Sequence, residues 1–171
     1  MSTTAQTASD PVDTGKVAGR RTLRFESIDQ ALADVDRLVA AEKASRLKHV
    51  GNWTLGQTLG HLATWTEYGY TGSPLKPPFF IRWILRFQKQ RFLTGPMRAG
   101  VKIPRVEGGT LATNVVPLDD AYPRFRQIME RLKNEPPTAL NPIFGKMSHE
   151  EQIALNLRHT ELHLSFHVPM D

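Results

Sequence analysis

Three segments of the chain carry the same helix-start motif, and this repetition constrains the fold more than any other feature. Each has a serine or threonine followed three residues later by glutamine or glutamate, a capping box whose side chains bond the free amides of a first helical turn. The motif occurs at Ser27–Gln30, Thr54–Gln57 and Ser148–Glu151. Apolar residues at helical spacing follow each copy, so we predict that three helices begin there.

A fourth helix is predicted to begin near Asp119 or Asp120 and to end before Pro136 and Pro137, because proline cannot continue a helix. No segment alternates apolar and polar residues strongly enough to predict a strand. Residues 98–106 and 110–116 are predicted to form either a short hairpin or plain loop. The sequence therefore predicts an all-α fold.

A long connection, roughly residues 71–117, separates the second of these helices from the third. Short loops suffice for an up-down bundle, whereas parallel middle helices require the chain to return to its starting end. We therefore predict a four-helix bundle with parallel middle helices. Residues 78–93 in the connection predict an additional short amphipathic helix. Its apolar face is Phe79, Phe80, Trp83, Ile84 and Phe87, and its basic face is Arg82, Arg86 and Lys89.

The composition is that of an ordinary globular protein, with 40% hydrophobic and 23% charged residues. The length of 171 residues predicts a single domain, here residues 20–171, after a flexible tail over residues 1–19. Cysteine is absent. This excludes disulfides and thiolate metal ligands, so any reactive thiol must come from outside the chain.

Targeting signals are not evident in the sequence. No run approaches the roughly 20 apolar residues that a membrane-spanning helix needs. Arg20 and Arg21 are similar to the start of a twin-arginine export signal, but acidic residues follow them where an apolar segment is required. We therefore expect a cytoplasmic protein.

The positive charge of the chain is concentrated in one interval. Between Glu67 and Glu107 there is no acidic residue, and the local excess of cations exceeds the net charge of +5. These cations are Lys76, Arg82, Arg86, Lys89, Arg91, Arg98, Lys102 and Arg105. Such a surface attracts acidic small molecules, membranes or nucleic acid. We expect Arg82 and Arg86 to bind an anionic ligand or lipid headgroup, and no nucleic acid, because no nucleic-acid-binding motif accompanies them.

Half of the six histidines fall in the last predicted helix at four-residue spacing. They are His159, His163 and His167. This spacing places side chains one turn apart on one helix face. We interpret Arg158, Glu161 and Ser165 as the solvent face, which turns His159 and His163 towards the apolar interior.

His61, on the second predicted helix, lies at the edge of an apolar face and can converge with His159 and His163. Three imidazoles with an open fourth position are typical of catalytic zinc, and imidazole also suits nickel, iron and copper. The alternative is a set of histidines bonded to carboxylates or backbone. We expect His167 to be exposed or to support the ligands, and His49 and His149 to have surface or capping roles.

Residues 51–62 and 157–163 resemble the two histidine signatures of the DinB/YfiT-like superfamily. The first is a tryptophan before a helix with a His-Leu pair, and the second is His-x-x-x-His on the last helix. The chain is also similar to an uncharacterised branch of unknown function over residues 20–168. The shared elements are Arg20–Phe25, Gly51–Trp53, Phe144–Lys146 and His163–Phe166.

The resemblance implies a four-helix bundle with parallel middle helices and a metal-binding triad at His61, His159 and His163. Characterised members of the superfamily include transferases and isomerases that use a low-molecular-weight thiol such as mycothiol or bacillithiol. The implied cofactors are therefore a divalent metal, zinc or else nickel or iron, and a small thiol.

Two functions follow. The first is a metal-dependent thiol S-transferase, in which the metal lowers the pKa of the thiol and the thiolate attacks a small electrophile. Its catalytic acid or base is unassigned, because Glu67 and Glu161 are interpreted as facing away. The alternative is a non-catalytic metal-binding bundle that forms a homodimer or docks to a membrane surface through residues 79–92. The aromatics of that segment otherwise cover one end of the bundle.

Overall fold

The structure is a computed structural model that describes residues 11–104, 106 and 109–170. The part of the chain it describes is mostly helical. The helices are α1 (Ile28–Lys43), α2 (Leu55–Thr71), α3 (Phe79–Phe87), α4 (Lys89–Thr94), α5 (Leu118–Asn134) and α6 (His149–Leu164). Two short strands, β1 (Leu47–His49) and β2 (His167–Pro169), pair antiparallel. This small sheet was not predicted.

The predicted helix starts form, but only one capping box is complete. At Ser148–Glu151 both reciprocal hydrogen bonds are present. At the other two starts the hydroxyl caps the helix, while the glutamine side chain bonds elsewhere. Gln30 accepts from the backbone N–H of Glu26, and Gln57 donates to the carbonyl of Thr113 at 2.8 Å. The Gln57 bond ties the start of α2 to the long connection.

Two ion pairs show the direction of α5 relative to α1. Lys43, at the end of α1, lies 3.3 Å from Asp119 at the start of α5. Lys133, near the end of α5, lies 2.6 Å from Asp29 at the start of α1. The two helices therefore run antiparallel.

Contacts at the two ends of α2 and α5 show that these helices run in the same direction. A side chain at Gly56, near the start of α2, would lie 2.8 Å from the amide of Leu118, where α5 begins. At the other end, the Tyr70 hydroxyl donates to the carbonyl of Glu135 at 2.8 Å. The long connection therefore carries the chain back along α2 before α5 starts, which is what parallel middle helices require.

The core lies between the four long helices. Leu38, Leu59, Phe125 and Leu164, one from each of them, are fully buried. Helix α6 begins where α5 ends, and the His149 ring nitrogen Nε2 lies 2.6 Å from the carbonyl of Leu132. His149 thus caps a free carbonyl of the preceding helix, in line with its predicted capping role.

The predicted solvent face of α6 is wrong. Arg158, Glu161 and Ser165 are only 3%, 7% and 3% exposed. The segment Arg20–Phe25 covers them, and the Glu161 carboxylate accepts from the Phe25 amide at 2.5 Å. Arg158 donates to the Phe25 carbonyl and pairs with Glu161. Polar residues therefore face a covering segment here, which the periodicity of α6 alone does not reveal.

The segment predicted as one amphipathic helix is divided at Gln88 into α3 and α4. Its inner side chains, Ile81 and Leu85, are partly buried. The aromatic face points outwards, with Phe79 83% and Phe87 74% exposed. The interpretation that these aromatics cover one end of the bundle is therefore wrong.

The remaining predictions concern loops and the amino-terminal segment. The described parts of residues 98–106 and 110–116 form no strand. Residues 1–10 of the predicted tail lie outside the described part of the chain, while Val12 exchanges two hydrogen bonds with Asn52. None of the described helices has the length and hydrophobicity to cross a membrane.

Candidate metal centre

Three imidazoles from two helices meet at one point. The Nε2 atom of His159 lies 3.3 Å from that of His61 and 3.0 Å from that of His163. One nitrogen from each ring falls within 4.8 Å of the other two. Among the described residues, this group contains no carboxylate. The structure thus brings together all three residues that the sequence singled out.

The long connection fixes the orientation of His61. Its Nδ1 lies 2.9 Å from the carbonyl of Leu111, which can only accept, so Nδ1 carries the proton. The next residue, Ala112, has a left-handed backbone conformation with a φ of 56°. A non-glycine residue in this region carries strain of roughly 1–2 kcal/mol. The backbone is thus held in a costly conformation beside the carbonyl that sets the tautomer of His61.

Two tryptophans flank the three rings. Trp53 stacks on His163, with ring centroids 5.3 Å apart and planes only 5° from parallel. Trp65 packs edge-on against His159 at 5.5 Å. Trp65 Nε1 is buried and, within the described part of the chain, has no hydrogen-bond partner. The rings therefore have rigid apolar walls and one unused donor beside them.

Protons alone cannot satisfy the three facing nitrogens. With its proton on Nδ1, neutral His61 presents a lone pair at Nε2. His159 Nε2 faces both this lone pair and His163 Nε2, and a single N–H cannot point well at two acceptors. If His159 Nε2 is instead unprotonated, two lone pairs face each other at 3.3 Å. A cation at the centre removes the conflict, so the donor set fits a metal.

The electrostatics keep these rings neutral and ready to act as ligands. Burial lowers the pKa of His61 to about 4. Burial, with a smaller contribution from the neighbouring His61, lowers the pKa of His159 to about 3. The pKa of His163 is lowered well below its ordinary value for the same reasons. Neutral imidazole is the form that binds metal, so the site is competent at neutral pH.

The two histidines of α6 lie at the edge of the core. His61 is buried, whereas His159 and His163 are partly exposed. The core side of α6 is instead formed by residues such as Leu157 and Leu164. The prediction that the pair points into the apolar interior is therefore partly wrong, and the partial exposure gives a ligand access to the triad.

Arg82 and Arg86 lie on a different surface. They line an open groove of about 580 Å³ on α3 together with Phe79, Phe80 and Trp83. The groove contains none of the three histidines.

A second histidine cluster was missed by the sequence analysis. His167 is 1% exposed and lies in β2 opposite His49, with their Nδ1 atoms 2.7 Å apart. Its Nε2 lies 2.8 Å from the Thr58 hydroxyl. On the other side, Glu42 is 3.2 Å from His49 Nε2. His167 continues the four-residue spacing of the last helix, but α6 ends at Leu164. The prediction of an exposed His167 is therefore wrong.

The four short sequence segments that carried the family resemblance lie at the end of α6 and beside α4. Arg20 of the first element lies over the ring of Phe166 at 4.3 Å and donates to Ser165. A side chain at Gly51 would also meet Phe166, at 2.9 Å. Three of the elements thus meet at the end of α6. The fourth contacts α4, where Phe144 packs against Phe92 with ring centroids 5.6 Å apart.

A family model described as "Protein of unknown function (DUF1569)" matches residues 17–170. The chain belongs to the DUF1569 family. The match spans all of α1 to α6, and thus both helices that supply the histidine triad. No curated protein and no solved structure matches the chain. In this DUF1569 protein, the histidine triad is the candidate functional site.

Proposed function

We propose that His61, His159 and His163 bind a divalent metal ion, and that the protein is a metal-dependent transferase acting with a low-molecular-weight thiol. We further propose that α1, α2, α5 and α6 form the four-helix bundle of the DinB-like superfamily. The observation that carries the proposal is the convergence of three Nε2 atoms at 3.0 and 3.3 Å. Ligand atoms about 2.0–2.1 Å from a tetrahedral zinc ion stand about 3.4 Å apart, close to these separations.

Zinc is the proposed metal because three neutral imidazoles are one of its common catalytic ligand sets. Nickel and iron are the alternatives, since both accept imidazole ligands. The three ligands leave room for a fourth, which is how catalytic sites differ from closed structural ones. A bound divalent ion would supply Lewis-acid chemistry, lowering the pKa of a thiol so that it is deprotonated at neutral pH.

The chain contributes binding and orientation to such a reaction. It has no cysteine, so the nucleophilic sulfur comes from a small molecule. Trp53, which stacks on His163, and Trp65, which packs edge-on against His159, form two walls of the site. Trp65 also keeps its own N–H buried. The proposed substrates are therefore a small thiol and a small electrophile.

The transfer itself is a displacement. The thiolate sulfur forms a bond to an electrophilic carbon, and the leaving group departs with the bonding electron pair. The thiol proton is released to solvent when the thiol binds. Neither Glu161 nor Glu67 is offered for this step, because Glu161 is held by Phe25 and Arg158, and Glu67 pairs with Arg124. A nucleophile that is already deprotonated does not need either carboxylate.

The first experiment measures the metal. Protein purified without a histidine tag should contain close to one divalent ion per chain. His159→Ala should lose most of it, while His149→Ala, a histidine outside the triad, should retain it. Full metal retention in His159→Ala contradicts the site.

The second experiment tests the thiol. In cobalt-substituted protein, a small thiol should produce a sulfur-to-metal charge-transfer band, and His159→Ala should abolish it. The metal-loaded protein should then conjugate the same thiol to a chlorodinitrobenzene faster than His159→Ala does. If no thiol changes the spectrum, the transferase proposal loses its chemical basis even where the metal is bound.

A second candidate is a non-catalytic metal-binding module. This candidate is favoured because no carboxylate from the described part of the chain belongs to the triad group. Bound metal with an unchanged cobalt spectrum and no thiol conjugation is the outcome that distinguishes it from the transferase.

A further inference from the structure

Helix α3 presents a single apolar face to solvent. Phe79, Phe80, Trp83, Ile84 and Phe87 recur at positions that share one side of a helix, and all five are exposed. Their exposed fractions run from 49% for Ile84 to 83% for Phe79. A contiguous aromatic surface of this kind marks a docking site.

The orientation of this face is fixed by contacts on its other side. Ile81 and Leu85 are partly buried beneath α3. Leu93 of the adjoining α4 is 7% exposed, and Lys89 forms a 2.6 Å ion pair with Glu151 of α6. The inner surface of the α3–α4 unit is thus held against the rest of the molecule, so the aromatic side chains cannot turn inwards without breaking these contacts.

Positive charge borders the aromatic face. Arg82 and Arg86 are exposed, and neither forms an ion pair with a residue in the described part of the chain. Lys76 shares a second open groove of about 500 Å³ with Arg82. Leu140, from the loop before α6, lines the same groove and is 69% exposed. The apolar and basic surface therefore continues beyond α3.

We propose that α3 docks the protein onto the surface of an anionic phospholipid membrane. The five apolar side chains enter the boundary between headgroups and acyl chains, while Arg82, Arg86 and Lys76 contact lipid phosphates. Tryptophan and phenylalanine beside arginine are the composition of interfacial helices, which lie in the plane of the membrane. The helix lies on the membrane and does not cross it.

The charges favour this partner over a second copy of the chain. A two-fold interface through α3 brings the same patch of both subunits together. Arg82 and Arg86 of one copy would then face a patch that carries the same cations, with no acid between Glu67 and Glu107 to separate them. Anionic lipid supplies the opposite charge over the whole patch.

The test uses the full chain and vesicles of either phosphatidylcholine alone or phosphatidylcholine with phosphatidylglycerol. We expect the protein to sediment with the mixed vesicles and to bind the neutral vesicles at least roughly tenfold more weakly at low salt. Tryptophan emission should shift to shorter wavelength on binding. In Trp83→Phe this shift should disappear while sedimentation remains, because the two other tryptophans lie at the triad.

Two double variants separate the apolar and charged contributions. Phe79→Ser/Phe87→Ser should abolish binding, and Arg82→Glu/Arg86→Glu should weaken it by roughly tenfold or more at low salt and by less at high salt. Arg46→Glu/Lys48→Glu makes the same change in net charge around β1, where both residues are exposed, and should bind like wild type. All four side chains under test are exposed, so metal content and helicity should be unchanged.

Three results would overturn the proposal. The first is equal binding of wild type and Phe79→Ser/Phe87→Ser to the mixed vesicles. The second is an equal effect of the two charge-reversal pairs. The third is a dimer in solution that Phe79→Ser/Phe87→Ser dissociates, with no vesicle binding by wild type, which would assign the face to a second copy.

Discussion

The two histidine clusters of this protein differ in how their ring nitrogens are satisfied. At the triad, Nε2 atoms of His61, His159 and His163 face one another, and no arrangement of protons satisfies all three. At the second cluster, a chain of donors and acceptors runs from the Thr58 hydroxyl through His167 and His49 towards Glu42.

This difference separates a metal site from a structural one better than spacing or burial does. In the second cluster, the Glu42 carboxylate lies beside His49 Nε2 and favours a proton there, which makes His49 Nδ1 an acceptor. His167 Nδ1 then donates to His49 Nδ1, and the Thr58 hydroxyl donates to His167 Nε2. Every ring nitrogen of this cluster then has a complementary partner, so the cluster does not need a metal ion. The cluster instead joins β1 and β2 to α2.

The largest expected difference between the clusters is in metal content. His163→Ala should abolish metal binding, because two imidazoles in an open site hold a divalent ion far more weakly than three. His167→Ala should leave the metal content of the folded protein unchanged. Elemental analysis of both variants checks this, and a metal loss in His167→Ala comparable with that in His163→Ala would show that the clusters act as one site.

In the metal-free protein, the order of stability effects should be reversed. His167→Ala should lower the free energy of unfolding by about 2–3 kcal/mol, because it removes a buried side chain and leaves the buried Thr58 hydroxyl and the half-buried His49 Nδ1 without these partners. His163→Ala should lower the free energy of unfolding by less than about 1 kcal/mol, because it also removes the unfavourable approach of His163 Nε2 to His159 Nε2. Urea unfolding in the presence of a chelator measures both. A larger loss for His163→Ala would contradict the proposed proton arrangement.

The pH dependence of stability should report on the second cluster. Burial, with the nearby His49 and Arg21, lowers the pKa of His167 to about 3, below about 6.5 in the unfolded chain. Between these values the unfolded chain holds a proton that the folded chain lacks. The free energy of unfolding should therefore fall as the pH falls from about 6.5 towards 3, by up to about 1.4 kcal/mol per pH unit from this residue.

The variant for this measurement is His167→Gln, which keeps a polar side chain that does not titrate. In metal-free protein, the free energy of unfolding of this variant should change less steeply with pH than that of wild type. The difference in slope should be up to about 1.4 kcal/mol per pH unit. Urea unfolding over a series of pH values gives the slope. Identical slopes would mean that His167 takes up its proton while folded.

The smallest expected effect concerns the connection that holds His61. Gln57→Ala removes the hydrogen bond to Thr113 and loosens the backbone that presents the Leu111 carbonyl to His61. Removing a group that hydrogen-bonds directly to a metal ligand typically lowers metal affinity by roughly tenfold or more. Because Gln57 acts on His61 only through the backbone, its loss should lower metal affinity by less than that. A competition titration with a chelating dye measures this. Gln30→Ala, at the equivalent position of α1, is the matched control and should leave affinity unchanged.

Much of the helical framework and the triad could be predicted from the sequence because their signals are local. Ser27, Thr54 and Ser148 cap their helices as predicted, since a capping hydroxyl bonds an amide three residues away. The two triad residues on α6 are one turn apart, so their proximity follows from helix geometry. His61 was identified by its place at the edge of the apolar face of the second helix, and the family resemblance implied the same three residues.

The parts that could not be predicted depend on contacts between distant segments. Three-residue strands such as β1 and β2 carry no period of their own, and they form because α1 and α6 end near each other. The burial of Arg158 and Glu161 depends on the segment at Phe25, which is 133 residues away from Arg158. The chain of hydrogen bonds at His167 follows from the β1–β2 pairing and was invisible for the same reason.

The distance between the proposed metal ligands along the chain has a consequence for biosynthesis. His61 and His159 are 98 residues apart, and between them lie the whole connection and α5. The core of leucine, valine and phenylalanine side chains contains none of the three histidines, so we expect it to form without the ion. Unlike a zinc finger, which is unfolded without its metal, this protein would emerge from translation, fold, and only then acquire its ion. A metal ion bound at the triad would therefore reflect which ions the cell supplies as well as which ones the site prefers.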